Sequence, residues 1–284
     1  LKRLSLLPFI LLLLYRCSAN QPAAFKPGPA AGEFSLLTYN VAGLPQGVSA
    51  SNPEKNIPLI SPLLNQFDLA LVQEDFYYHE QLRAQAQHPY QSTPKAEAAQ
   101  FTDGDGLNQF SNFPFGNFLR EPWQHCSNQD GSDCLAKKGF SAAETEIAPG
   151  IIIDVYNLHL DAGGTAEDIT ARERQIEQLI RRVKTRSAGR AIILAGDTNL
   201  RTFSRPQDEV IFQTLLSKLD LFDACRALGC GNEQIDRVLF RSSAELTLTP
   251  LSWQLDPDFV DESGNPLSDH PAVSVIFQWD FQPN

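Results

Sequence analysis

Polar residues of catalytic type recur where apolar runs end. Asn40 closes FSLLTYN, Glu74 follows LALVQ, and His159 and Asp161 end VYNLHLD. Asp197 and Asn199 end IILAGDTN, Asp236 lies in QIDRVLF, and Asp269-His270 stand directly before PAVSV. Carboxylate and amide oxygens are hard ligands, which suit Mg²⁺, Mn²⁺ or Ca²⁺ better than zinc. The two imidazoles supply groups that titrate near neutral pH. Singly, each Asp or Asn reads as a turn former or helix cap. Glu74 is different, because a carboxylate beside a buried run needs a partner or a metal. Together they are the equipment for cation-assisted hydrolysis, provided the strand ends converge on one crevice.

The elements that must bring them together are legible as apolar runs. Strands are expected over Phe34–Val41, Phe67–Gln73, Ile151–His159, Ala191–Ala195, Ile235–Phe240 and Ala272–Phe277, several of them apolar enough for burial on both faces. Ala166–Arg186 carries Ile169, Ile176, Leu179, Ile180 and Val183 on one helical stripe, with Thr165 or Asp168 to cap it and Gly189 after it. A second helix is expected over Asp208–Lys218, and long loops near 92–109 and 121–137. Strands and helices alternate without a repeat or a linker, so residues 34–284 read as one layered α/β domain.

The chain has 284 residues and a net charge of −11, with 42% apolar residues, which excludes low-complexity disorder. The acidic balance argues against non-specific grip on nucleic acid or anionic membrane. It leaves room for an enzyme that meets a phosphodiester through bound cations. Lys2, Arg3, the apolar run Leu6–Leu14 and Cys17-Ser18-Ala19 read as a secretory signal over 1–19, with a Pro- and Ala-rich leader over 20–33. A lipid anchor at Cys17 is the alternative, against which Arg16 counts. Loss of residues 1–19 takes the net charge from −11 to −14, since Lys2, Arg3 and Arg16 leave with them. Secreted or periplasmic location suits the remaining Cys126, Cys134, Cys225 and Cys230, an even count; of the three pairings, 126–134 with 225–230 is the simplest. No C-x₂-C spacing supports a zinc site.

YNVAGLP, LVQED, NLHLD, GDTN, IDRVLF and SDHPAV, in that order from about Phe34 to Phe277, resemble the endonuclease/exonuclease/phosphatase superfamily. The resemblance implies a four-layer α/β sandwich of two packed mixed sheets flanked by helices. It implies a metal held by Glu74 and Asn40, with Asp269 completing that side. Asp197 and Asn199 would position water and a phosphate oxygen. His270 would be the general base, oriented by Asp236, and His159 would bond the phosphate or assist the leaving oxygen. Mg²⁺ is the implied cofactor, with Mn²⁺ or Ca²⁺ as substitutes.

Within that superfamily, Cys126–Phe140 (CSNQDGSDCLAKKGF) and Asp105–Phe115 (DGLNQFSNFPF) resemble segments of bacterial sphingomyelinases. The implied substrate is a phospholipid headgroup, met with transient membrane-surface contact and no obligate protein partner. The competing expectation is an extracellular deoxyribonuclease of the pancreatic type, with Arg120, Arg201 and Arg205 as groups for nucleic acid. The disulfide loop also reads as a plain surface hairpin, and Lys138 either as a phosphate contact or, with Lys137, as one of a solvated pair. The aromatics Phe101, Phe110, Phe113, Phe115, Phe118 and Trp123 read more readily as core than as lipid contacts. Trp253 and Phe259 are the candidates for a short membrane-touching loop.

Overall fold

The computed structural model describes residues 27–95, 104–129 and 133–283. The expected signal segment, Phe101 and the first half of the leader lie outside these residues. In chain order the elements are β1 (Ala30–Asn40), α1 (Pro53–Leu63), β2 (Leu69–Gln73), α2 (His79–Arg83), β3 (Tyr90–Gln91), β4 (Asn108–Ser111), β5 (Phe115–Pro122) and β6 (Gly139–Ala148). Then follow β7 (Ile151–His159), α3 (Ala166–Arg186), β8 (Ile192–Asp197), α4 (Pro206–Leu219), β9 (Phe222–Asp223), α5 (Ala224–Leu228), β10 (Asp236–Arg241), β11 (Leu246–Leu255) and β12 (Val273–Phe281). They form two mixed six-stranded sheets, ordered β11-β12-β1-β2-β4-β3 and β5-β6-β7-β8-β10-β9.

Alternation along each strand decides the layers, because successive side chains point to opposite faces. Phe34, Leu36, Leu69 and Leu71 from one sheet meet Ile153, Val155, Ile193, Ala195 and Val238 from the other, forming the core between the sheets. The intervening residues face outward. Leu37, Tyr39, Ala70 and Val72 pack under α1 and α2, while Tyr156, Leu158, Ile192 and Leu194 pack under α3 and α4. The result is the four-layer α/β sandwich. Phe277 anchors its centre, stacked 5.5 Å from Phe34 and meeting Phe240 edge-on at 5.5 Å.

Helix α3 spans the expected residues, and Thr165 is its cap: a capping box joins Thr165 and Asp168. The first strand begins earlier than its apolar run, at Ala30, because Ala30–Glu33 pair with β12. That shortens the expected leader. Strands β5 and β11 carry no continuous apolar run; β11 is an edge strand with an irregularity beside Pro250, where proline is tolerated.

At the entry to β10, Arg237 is buried and donates to Asp223 (2.7 Å) and Glu233 (3.0 Å), while Arg226 donates to Glu209 and Glu233. Burial opposes ionisation of Glu233, but bonds from Arg226, Thr202 and Arg237 win and hold its carboxyl down at about 2. A depressed carboxylate pKa contributes stability that is complete above the ordinary value and is lost as pH falls through the folded one. Glu233→Gln is therefore expected to lower Tm at pH 7. Its melting curve should converge on that of the unaltered protein between about pH 4.5 and 2. Calorimetry across that range checks this; parallel curves at all pH values would remove Glu233 from the acid response.

Candidate active site

The crevice is the polar end of the core between the sheets. On each contributing strand the inward parity that carries apolar side chains changes to polar ones near one end: Leu36 to Asn40, Leu71 to Gln73, Val155 to Asn157 and His159, Ala195 to Asp197, Val238 to Asp236. Register then sets them side by side. Asn40 pairs with Gln73 in one sheet. In the other, Asp197 lies between His159 on β7 and Asp236 on β10. Below them Gln73 donates to Asn157 (2.7 Å), which donates to the backbone of Val72 and Asn108, fastening the two sheets. Gln73 and Asn157 escaped sequence reasoning, although their inward parity was the signal.

Asn40 Nδ2 donates to Glu74 Oε1 (3.1 Å) and to Asp197 Oδ2 (3.2 Å), bridging two like-charged groups. Glu74 adopts φ of +56°. This left-handed backbone is uncommon outside glycine and commonly marks functional sites. His159 Nε2 lies 3.2 Å from Asp197 and 3.9 Å from Glu74. Asn199 Nδ2 donates to Leu160 O, and its backbone N–H donates to Asp197 Oδ1. His270 Nδ1 lies 2.9 Å from Asp236 Oδ2, and His270 Nε2 lies 3.8 Å from Asp197. Burial pushes the Asp236 carboxyl up to about 6 against the pull of His270. Burial alone would lower the His270 pKa, yet the fields of Asp197 and Asp236 raise it to about 10. Burial opposes the charge on Asp197 as well, but the two histidines hold it well below the usual carboxylate range.

The structure thus gathers Asn40, Glu74, His159, Asp197, Asn199, Asp236 and His270. Asp269 sits at the open mouth, exposed, where it accepts from Ser268 Oγ and adds to the field on His270. Asp161 belongs elsewhere: it is buried and accepts from Ser127 N–H and Gln175, tying down the disulfide loop.

The residues fit a divalent cation. Among the described residues, the tightest group of ligand-type side chains is Asp197, Asp236 and His270, within 4.8 Å of one another. Asp236 Oδ2 and His270 Nδ1 are taken up by each other. Glu74 stands beside this group, 3.9 Å from His159 and bridged to Asp197 by Asn40, and adds hard oxygen to it. His159 Nδ1 and Asp236 Oδ1 are buried without a protein partner, as expected of a site that orders water or ions.

Disulfides join Cys126 to Cys134 and Cys225 to Cys230. Lys138 is buried and paired with Asp133 rather than solvated, and its charge reaches Asp197. Phe110 is buried, and Phe113 and Trp123 pack on the cores. Phe259 is buried against Tyr39, with ring centroids 4.8 Å apart, and Trp253 packs on the core between the sheets. The short membrane-touching loop expected of those two residues is therefore not formed by them. Arg120 is spent on Asp105, Asn108 and two backbone carbonyls, and Arg205 on Asp208 and Gly163. Of the arginines considered for nucleic acid, Arg201 is the exposed one.

No family model matches the chain. Curated proteins named sphingomyelinase from Mycobacterium tuberculosis (strain ATCC 25618 / H37Rv) and Mycobacterium bovis are each 32% identical over 268 residues, 87% of this chain and 53% of theirs. The chain spans about half the length of these relatives. Sphingomyelinase C from Streptomyces griseocarneus superposes with a TM-score of 0.60 at 20% identity, covering 86% of this chain and 99% of that one. A Staphylococcus aureus beta toxin mutant with bound magnesium ions gives 0.62 at 16% identity, covering 89% and 100%. TDP2 from D. rerio, complexed with a single-strand DNA product, gives 0.63 at 17% identity, covering 86% and 98%. The fold implied by the resemblance to the endonuclease/exonuclease/phosphatase superfamily is the fold these solved structures share with this chain. In sequence, the chain is a homologue of about half of each mycobacterial protein named sphingomyelinase.

Proposed function

We propose that the chain is a secreted or periplasmic, Mg²⁺-dependent phosphodiester hydrolase that releases the headgroup of a sphingomyelin-like phospholipid. The observation that carries this reading is the pairing of the His270–Asp236 dyad with the Glu74–Asn40 amide bridge across one crevice. Glu74 and Asn40 would hold the cation, which neutralises phosphate charge and stabilises the pentacoordinate state when bound. Asp236 accepts from Nδ1–H of His270; with the carboxylate field that raises the His270 pKa offset by bound positive charge, the neutral ring would present an unprotonated Nε2 to take a proton from the attacking water. Asp197 and Asn199 orient that water, and His159 Nε2 donates to a phosphate oxygen.

The homology to proteins named sphingomyelinase favours lipid over DNA, as does the internal pairing of Arg120 and Arg205. Two disulfides suit an oxidising compartment. Leu135 and Phe203 are exposed and stand close in sequence to the exposed cations Lys137 and Arg201. Their loops are fastened to the 161–164 segment just past His159, through Ala162 N–H to Asp133 and Arg205 to Gly163 O. Apolar tips beside cations suit the headgroup boundary of a bilayer.

The test is hydrolysis of sphingomyelin in mixed micelles and of plasmid DNA, with Mg²⁺ and with EDTA. Phosphocholine release is expected, abolished by EDTA and strongly lowered in Glu74→Ala, with partial recovery at raised Mg²⁺. On vesicles, Leu135→Ser/Phe203→Ser should lose rate that it keeps on micelles. DNA nicking without lipid cleavage would establish the deoxyribonuclease alternative, and chelator-resistant turnover would end the metal mechanism.

A further inference from the structure

Beneath the crevice, on the helix side of the second sheet, lies an ion pair that touches no reacting group. Arg172 on α3 and Asp208 on α4 are both fully buried. Arg172 Nη1 donates to three successive carbonyls, Asp161 (3.1 Å), Ala162 (2.9 Å) and Gly163 (3.1 Å). Its Nε and Nη2 donate to Asp208 Oδ1 at 3.3 and 3.1 Å. The other oxygen of Asp208 accepts from the backbone N–H of Arg201 and from Arg205 Nη1, both at 3.0 Å. One turn along α3, Gln175 accepts from Asp161 N–H and donates to its carboxylate.

We propose that the Arg172–Asp208 pair is a positioning device that sets His159 and Asn199 relative to each other. The inference rests on the hydrolase reading given above. The loop leaving β7 begins one residue after His159, and the loop leaving β8 carries Asn199. Where the two exits meet in the crevice they are joined by Leu160 N–H to Asp197 O (2.9 Å) and Asn199 Nδ2 to Leu160 O (3.0 Å). The ion pair joins the same two loops a few residues further on, so each is held at both ends. Buried ion pairs contribute little net stability compared with apolar residues of similar volume. What this pair supplies is direction: a planar fork meets three carbonyls on one side and a carboxylate on the other, which lysine cannot reproduce. A shift of about 1 Å in such a group can cost roughly a hundredfold in rate.

The variants are Arg172→Lys and the apolar double Arg172→Met/Asp208→Leu. They are read by kcat and KM on mixed micelles, by unfolding midpoint, and by ¹H–¹⁵N imidazole spectra of His159. Arg172→Lys is expected to fold, to lose about 10- to 100-fold in kcat with KM nearly unchanged, and to shift the His159 resonances. The double variant should recover the midpoint without recovering kcat. Unaltered kcat and His159 resonances in Arg172→Lys would overturn the proposal, as would kcat that returns with stability in the double variant. Should the double variant not fold, Arg172→Lys decides alone. Should the unaltered protein hydrolyse no phosphodiester, the hydrolase reading fails, and the His159 spectra still report whether the pair positions that ring.

Discussion

His270→Ala is expected to lower kcat by about 10²- to 10⁴-fold, the usual worth of a general base. The ring sits with Nδ1 2.9 Å from a buried carboxylate and Nε2 turned toward Asp197, so its removal takes the proton acceptor out of the crevice. Asp236→Asn should cost a comparable amount for a different reason. The amide keeps the volume of the carboxylate but donates to Nδ1, which leaves the proton on Nε2 and turns the base away from its task. Because the two residues act as one unit, the double variant should be little worse than either single one. Steady-state hydrolysis of sphingomyelin in mixed micelles at saturating Mg²⁺ measures all three. Loss of less than tenfold in both single variants would remove the dyad from the mechanism.

Gly196→Ala is expected to be strongly destabilising. Gly196 precedes Asp197 on β8 and has φ of +137°, where side chains are rarely found. A Cβ there would lie 2.0 Å from the carbonyl oxygen of Leu158, the residue paired with it on β7. Neither strand can yield, because β7 and β8 are central in their sheet. The expected destabilisation exceeds about 4 kcal/mol, the exceptional range for a point substitution. Any folded remnant should have lost the Asp197–His159 contact. Gly189→Ala is the control: it also has positive φ (+69°) but open space around it, so its cost should be about 1 kcal/mol. Urea denaturation compares them, and equal midpoints would show that the strands do move apart.

Much of the fold was legible because burial leaves a period in the sequence. Ile151–His159 and Ala166–Arg186 appear with the expected bounds, since alternation and the 3.6-residue stripe are local properties. Strands β5 and β11 were not legible as apolar runs. Edge strands bury only part of their side chains, and the proline in β11 reads as a breaker. Trp253 and Phe259 illustrate the same limit from the other side: an aromatic in a loop segment looks available for lipid until the residues packed on it are known.

Local sequence sets which residue types stand at the strand ends, and the parity that turns Asn40, His159, Asp197 and Asp236 inward. That follows from local geometry, because a period of two fixes the face of every residue once the strand is placed. Which of them meet depends on register and layer packing. Register placed Asp197 between His159 and Asp236, sheet packing brought Asn40 and Glu74 opposite, and the approach to β12 set His270 against Asp236 while leaving Asp269 at the mouth. Packing also withdrew Asp161 to the disulfide loop and committed Arg172 and Asp208 to the two exits. These are contacts between residues tens to more than two hundred positions apart in the chain. They arise from how the layers pack, which no local period records.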